Sequence, residues 1–174
     1  MAKTKHTRRI DIEIDKLTNS IELVATGDVF NTIIFKASVT DKQLIRQSDW
    51  LFDWHQEIGK KNREVYRLMT EYNPDIIQGL VSIEDKGDHI YMHLIESAAF
   101  NRGSNKTFLG VPGNLIAYNC KLSFDRGYDG FVAFTAKTAL VEHYKKALGA
   151  IVIHGTLMHL DNPAARNLLD RYKL

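Results

Sequence analysis

The chain is poor in the features that mark several large protein classes. It holds one cysteine, Cys120, among 174 residues, which excludes an internal disulfide framework and any zinc site built from several thiolates. No apolar run approaches the roughly 20 residues that a membrane-spanning helix needs, so no membrane partner is expected. The opening Met1-Ala-Lys-Thr-Lys-His-Thr-Arg-Arg9 has basic residues but no apolar segment behind them. It does not read as a secretory signal, and the cytoplasm is the expected compartment. Excess charge of one sign is missing too: the net formal charge is +2, too small to point to nucleic acid as a partner. Lys3, Lys5, Arg8 and Arg9 do crowd together, but Asp11, Glu13 and Asp15 follow and blunt their field. Residues 1–9 therefore read as a flexible basic tail. With no linker, repeat or low-complexity tract, residues 1–174 are expected to form a single domain.

What is present is a globular composition whose apolar residues change period along the chain. Ile10, Ile12 and Ile14 alternate with acids and predict a half-buried strand. Ile21–Ala25 and Val29–Phe35 predict two more around the turn at Gly27-Asp28. Helical spacing follows. Thr40 is a candidate cap, Leu51, Trp54, His55 and Ile58 fall on one helix face, and Val65, Leu68 and Met69 continue the stripe. Asn73-Pro74-Asp75 ends this region. Ile76–Ile83 and His89–Ser97 predict a hairpin, 115–124 a helix, and Phe131–Ala136 a short strand. A helix is expected from Thr138 to Leu148 with Gly149 as its stop. Strands at 151–153 and 156–159 and a final helix opened by Asn162-Pro163 close the chain.

Chemistry concentrates in the order strand, glycine turn, helix, strand, helix from His89 to Leu148. A glycine turn that opens a helix offers free N–H groups and the positive end of the helix dipole, which together suit a phosphate. Gly110 and Gly113 would let the backbone approach an anion. The Lys-Ser or Lys-Thr of a P-loop is absent after Gly113, as is the Gly-x-Gly-x-x-Gly of a dinucleotide site.

The turn Lys106-Thr-Phe-Leu-Gly-Val-Pro-Gly113 resembles the CoA-pyrophosphate loop Arg/Gln-x-x-Gly-x-Gly/Ala of the GNAT N-acetyltransferases, with the basic residue and the glycines displaced. Some thirty residues on, Lys137-Thr-Ala-Leu-Val-Glu-His-Tyr144-Lys-Lys-Ala-Leu-Gly-Ala150 is similar to that superfamily's Asn-x-x-Ala-x-x-Leu-Tyr-x-Lys-x-Gly-Phe. Lys137 stands in the Asn place, Ala150 in the Phe place, and one extra residue separates Tyr144 from Gly149. The resemblance is clearest from Ile76 to Ala150. It implies an α+β fold with a mixed, mostly antiparallel sheet flanked by helices, whose splayed strands form an acyl-CoA cleft. It also implies acyl transfer from acetyl-CoA, as co-substrate, to an amine. Leu94, Ile95, Lys106, Leu109, Gly110, Val111, Gly113, Asn114 and Lys137 would hold the CoA.

Within that resemblance, backbone N–H groups near Leu94, Ile95 and Glu96 would polarise the thioester carbonyl. Tyr144 would protonate the leaving sulfur. Glu96 would take the amine's proton, directly or through water. Spaced three apart on one strand, His93 and Glu96 are expected on opposite faces. Trp50, Trp54, Tyr66 and Tyr72 could wall an acceptor site, though core packing is the simpler role. Cys120 reads as an inert buried thiol, and no histidine spacing is that of a metal site. The displaced glycines and Lys137 leave a second reading open: a binding or regulatory protein on the same fold without catalysis. A second copy of the chain stands as a candidate partner.

Overall fold

Alternation and turn chemistry account for most of the sheet. In the computed structural model, which describes residues 20–172 and 174, β1 (Ser20–Leu23) pairs antiparallel with β2 (Val29–Lys36) across a turn that Gly27 closes at φ 76°. The strand expected at Ile10–Ile14 and the basic tail lie outside the described residues. Beyond β2 the chain makes 3-10 turns at Val39–Leu44 and Gln47–Asp49 and then a six-residue helix, α1 (Trp54–Gly59). Ser38, not Thr40, caps the first turn, its N–H donating to the Asp41 carboxylate at 2.7 Å.

The helical stripe expected through Val65, Leu68 and Met69 is instead a strand, β3 (Glu64–Thr70), between β2 and β4 (Gly79–Asp85). Both faces of β3 are covered. Val65 and Met69 pack into one apolar cluster, Tyr66 and Leu68 into another. A strand buried on both sides lacks the alternation that identifies strands, and its spacing mimics a helix.

The expected hairpin forms from β4 and β5 (Ile90–Ser97). A two-residue β6 (Phe108–Leu109) pairs with β1 and leads into α2 (Val111–Asp125). The chain continues through β7 (Val132–Thr135) and α3 (Val141–Leu148), which ends at the left-handed Gly149 as expected. β8 (Ile151–His154), β9 (Leu157–Leu160) and α4 (Asn162–Tyr172) complete it. The sheet order is β6-β1-β2-β3-β4-β5-β7-β9-β8, and β5–β7 is the one parallel pairing among the described residues. The mixed, mostly antiparallel α+β sheet is thus present. The larger cluster lies between the sheet and α2, α3 and α4. The smaller one, with Trp54 fully buried, lies on the opposite face under α1. Each fully buried side chain of this kind stabilises by roughly 1.5–3 kcal/mol relative to exposure. No described helix is long and apolar enough to cross a membrane.

The end of α2 is fixed to the sheet by charge. Arg126 meets Glu64 with two bonds, at 2.8 and 2.9 Å, and Asp85 with a third at 2.9 Å. Tyr66 Oη also donates to Glu64 at 2.8 Å. The Arg126 bond, with that from Tyr66, holds the Glu64 carboxyl down at about 2 against burial. A depressed carboxyl contributes stability above its unfolded value and loses it as pH falls through the folded value. Urea denaturation is therefore expected to show stability falling from about pH 4.5 to about pH 2. Arg126→Met should flatten that segment of the profile; an unchanged slope would contradict the assignment.

Candidate active-site cleft

The strands on either side of the parallel pairing stay together for only three residues. Ile90, Tyr91 and Met92 stand opposite Val132, Ala133 and Phe134. From there β5 continues along β4 to Ser97, while the chain leaving β7 stays with its other neighbour, Ala136 N–H donating to Thr156 O at 2.9 Å. The divergence opens a cavity of about 170 Å³. His93, Leu94 and Ile95 form one wall, Thr135, Ala136, Lys137, Leu140 and Tyr144 the other, and Phe52 reaches in from the opposite layer.

A β-bulge decides what this wall presents. Opposite β4 the register steps from Ile83–Met92 to Ser82–Leu94, leaving His93 as the extra residue. Backbone direction confirms the shift of phase. Ile90 N–H donates toward β7, to Phe131 O, whereas Ala98 N–H donates toward β4, to Gln78 O. Two even-numbered residues can point opposite ways only if one residue between them breaks the alternation. Past the bulge the odd-numbered N–H groups, that of Ile95 first, face the gap that β7 has left. Leu94 keeps its N–H toward β4 and contributes to the cleft wall.

The bulge also moves side chains. Met92 and Ile95 belong to the α2 face, Leu94 to the α1 face. Glu96 lies with Leu94, and so does His93, which bonds Glu84 at 2.7 Å and packs at a tilt against Tyr91. His93 and Glu96 therefore share a face, contrary to the expectation from strict alternation. Glu96, expected as the base, is engaged in the packing of the opposite layer, and a role in proton transfer stays a proposal. Glu96 is 4% exposed. Its carboxylate accepts from Leu51 N–H at 2.7 Å, Phe52 N–H at 3.2 Å and Trp54 Nε1 at 2.8 Å, with Arg102 3.4 Å away. It anchors the segment that carries Phe52 into the cleft.

Tyr144 lies where an acid would be useful. Its ring packs edge-on to Phe134 and beside His143, and burial pushes the phenol up to about 12. Its role as acid stays a proposal.

The start of α2 stands at the same end of the sheet. Gly79 makes room for it: a Cβ there would meet Val111 Cγ1 at 2.6 Å and the Glu96 carbonyl at 3.2 Å. Gly110, at φ 92°, is the N-cap, and Pro112 sits in the first turn. The first-turn N–H groups have no intrahelical acceptor. Gly113 has a packing reason to be glycine beside the one expected. A Cβ on it would stand 1.7 Å from Tyr172 Oη, so its smallness admits the fully buried Tyr172 of α4. Asn114 is buried and donates Nδ2 back to Gly110 O at 2.8 Å, closing the turn on itself. Leu109 stands opposite Glu22 in the β1–β6 pairing. Lys106 precedes that strand half-buried, and Lys137 begins the 3-10 turn at the mouth of the cleft.

Several proteins of known structure have a similar fold. The toxin AtaT in its complex with AtaR and DNA superposes with a TM-score of 0.58 at 15% identity, over 79% of this chain and 99% of that one. A tyrosine-to-phenylalanine mutant of AtaT bound to the antitoxin's C-terminus and acetyl-CoA gives 0.54 at 13%, over 79% and 98%. A chimera of the spermidine N-acetyltransferase SpeG from Vibrio cholerae and hSSAT gives 0.52 at 12%, over 78% and 98%. The fold is that of the GNAT acetyltransferases. No protein-family model and no curated protein matches the sequence. On this GNAT fold the cleft between β5 and β7 and the start of α2 together form the candidate site.

Elsewhere the expected residues separate. Trp54 is core, Trp50 borders a broad surface cleft of about 1100 Å³ beside Phe100 and Arg102, Tyr66 is buried, and Tyr72 is 85% exposed. Cys120 is buried, its thiol pushed up to about 12 by desolvation. Among the described residues no group of three or more His, Cys, Asp or Glu is placed to hold a metal. Sequence reasoning missed the His93–Glu84 pair and Phe52; the first needed the register of β4 against β5, the second a long-range contact.

The Glu96 anchor makes a specific expectation. Glu96→Gln trades a charged acceptor of three N–H donors for a neutral amide, so stability measured by denaturant should fall by about 1–3 kcal/mol, with a shift in tryptophan emission from Trp54. Unchanged stability and emission would remove the anchoring role.

Proposed function

We propose that the protein transfers an acetyl or other acyl group from acyl-CoA directly to an amine. The observation that carries this reading is the gap between β5 and β7 with the Ile95 N–H turned into it. A donor fixed there can bond the thioester carbonyl and, more strongly, the oxyanion that forms on attack. The pantetheine arm would lie along His93–Ile95 and Thr135–Lys137. The CoA pyrophosphate would meet the first-turn N–H groups of α2 at Val111 and Gly113 with the helix dipole behind them, flanked by Lys106 and Lys137. Gly110 shapes that turn, and Leu109 and Asn114 brace it. The amine nitrogen attacks the carbonyl carbon, the carbon–sulfur bond breaks, and Tyr144 Oη gives its proton to the departing sulfur. A phenol held at about 12 is protonated at every working pH. Similarity to a spermidine N-acetyltransferase agrees with an amine acceptor, and that to AtaT bound to acetyl-CoA agrees with the acyl donor; the acceptor site would open on the Phe52 side.

The second reading, a GNAT-fold binding protein without catalysis, is favoured by one observation: Tyr172 and the β1 pairing crowd the loop where the pyrophosphate would sit. Acetyl-CoA binding separates the two. A ligand present at 100 times its Kd stabilises by about 2.7 kcal/mol, so acetyl-CoA should raise the melting temperature and titrate by calorimetry. No binding at millimolar acetyl-CoA would overturn the transfer reading. Tyr144→Phe should bind acetyl-CoA as wild type does and turn over about 100-fold more slowly; equal rates would remove Tyr144 as the acid. Gly113 variants are unsuited to this test, because any side chain there displaces Tyr172.

A further inference from the structure

We propose that His93, oriented by Glu84, is the base that takes the proton from the attacking amine, an inference that rests on the acyl-transfer reading above. His93 is the bulge residue of β5 and lines the cleft. Its Nε2 lies 2.7 Å from Glu84 Oε2. Glu84 is itself held by Lys86 at 2.9 Å and Arg63 at 2.8 Å, and the Lys86 and His93 bonds keep its carboxyl down at about 2. An ionised carboxylate can only accept, so Nε2 carries the hydrogen and Nδ1 keeps the lone pair. A carboxylate that orients a histidine tautomer in this way also stabilises the imidazolium when it forms.

The ring is held on its other sides as well. It packs against Tyr91 with the rings tilted at 57° and centroids 4.6 Å apart, and Tyr91 Oη bonds Thr135 Oγ1 at 2.7 Å, joining β5 to β7 at the closed end of the gap. The charged groups facing it are Glu84 of β4, Arg63 ahead of β3, Glu57 of α1 and Lys86 of the β4–β5 turn. Burial pushes the imidazole below its ordinary 6.5, with Glu84 opposing and Arg63 adding to the shift. At neutral pH the ring is therefore neutral and able to accept. Glu96, with three N–H donors on its oxygens, is turned to the 51–54 segment instead.

The balance of the step is direct. The ammonium of the acceptor gives one proton to His93 Nδ1. The freed nitrogen pair forms the bond to the carbonyl carbon, the carbon–sulfur bond breaks, and the sulfur leaves with its electron pair and takes the Tyr144 proton. The second nitrogen proton returns to Tyr144 through water, and His93 releases its own to solvent. Amide and CoA thiol are the products.

The test follows CoA release from acetyl-CoA, with spermidine and water as probe acceptors, across pH for wild type, His93→Gln and Glu84→Gln, with acetyl-CoA affinity measured separately. In wild type kcat/KM should fall on the acid side through an ionisation below 6.5. His93→Gln should lose that limb and about 100-fold in rate at neutral pH, with acetyl-CoA affinity kept within about threefold. Glu84→Gln should move the limb to lower pH. A merely structural His93 would leave the limb in place, and that result, or an unchanged rate, overturns the proposal. Nitrogen-15 shifts of the His93 ring need no acceptor: hydrogen on Nε2 supports the proposal, and hydrogen on Nδ1 overturns it. Wild type that fails to bind acetyl-CoA would strike the acyl-transfer reading itself, a different outcome from intact binding with an unaltered His93 profile.

Discussion

One extra residue in β5 sets the phase of everything on the cleft wall. A strand that kept strict alternation through His93 would aim the Ile95 N–H at β4 and leave the gap lined without a directed donor. It would also carry Glu96 to the α2 face, away from Trp54. With the bulge, one donor faces the gap and a carboxylate is delivered to the backbone of residues 51 and 52.

A strand that loses its neighbour for half its length exposes backbone polar groups, and the fold stabilises β5 from three other directions. β4 pairs with it to the end at Gly79–Ser97. The first turn of α2 packs close over the same end because Gly79 has no side chain, and Glu96 binds the 51–54 segment from the opposite layer. The bond between Tyr91 and Thr135 marks where the two strands part. Packing on both faces of the sheet thus supports the strand where it leaves β7.

Much of this was legible in the residues. The 84–88 turn, the helix opened after Gly110, the Gly149 stop and the Asn162-Pro163 start all depend on local chemistry that spacing reports. β3 was not legible, because a central strand covered on both faces loses its period of two. The bulge was hidden for a related reason: nothing in Met92-His93-Leu94 distinguishes a phase shift from steady alternation, and the pairing with Ser82 and Ile83 decides it. Gly113 was legible as a required glycine but not in its reason, since Tyr172 lies 59 positions away in sequence. The place of the cleft was legible in the order of elements and in motif resemblance; its geometry depends on long-range contact.

The most direct test of the central claim is backbone amide hydrogen exchange, residue by residue, with and without saturating acetyl-CoA. The phase shift predicts that the Ile95 amide exchanges readily in the free protein and slows by about tenfold or more when the thioester binds, as an amide that gains a protected hydrogen bond does. The Leu94 amide, turned to β4, should be slow in both states. Protection gained at Leu94 and not at Ile95, or at neither in a protein that binds acetyl-CoA, would contradict the account.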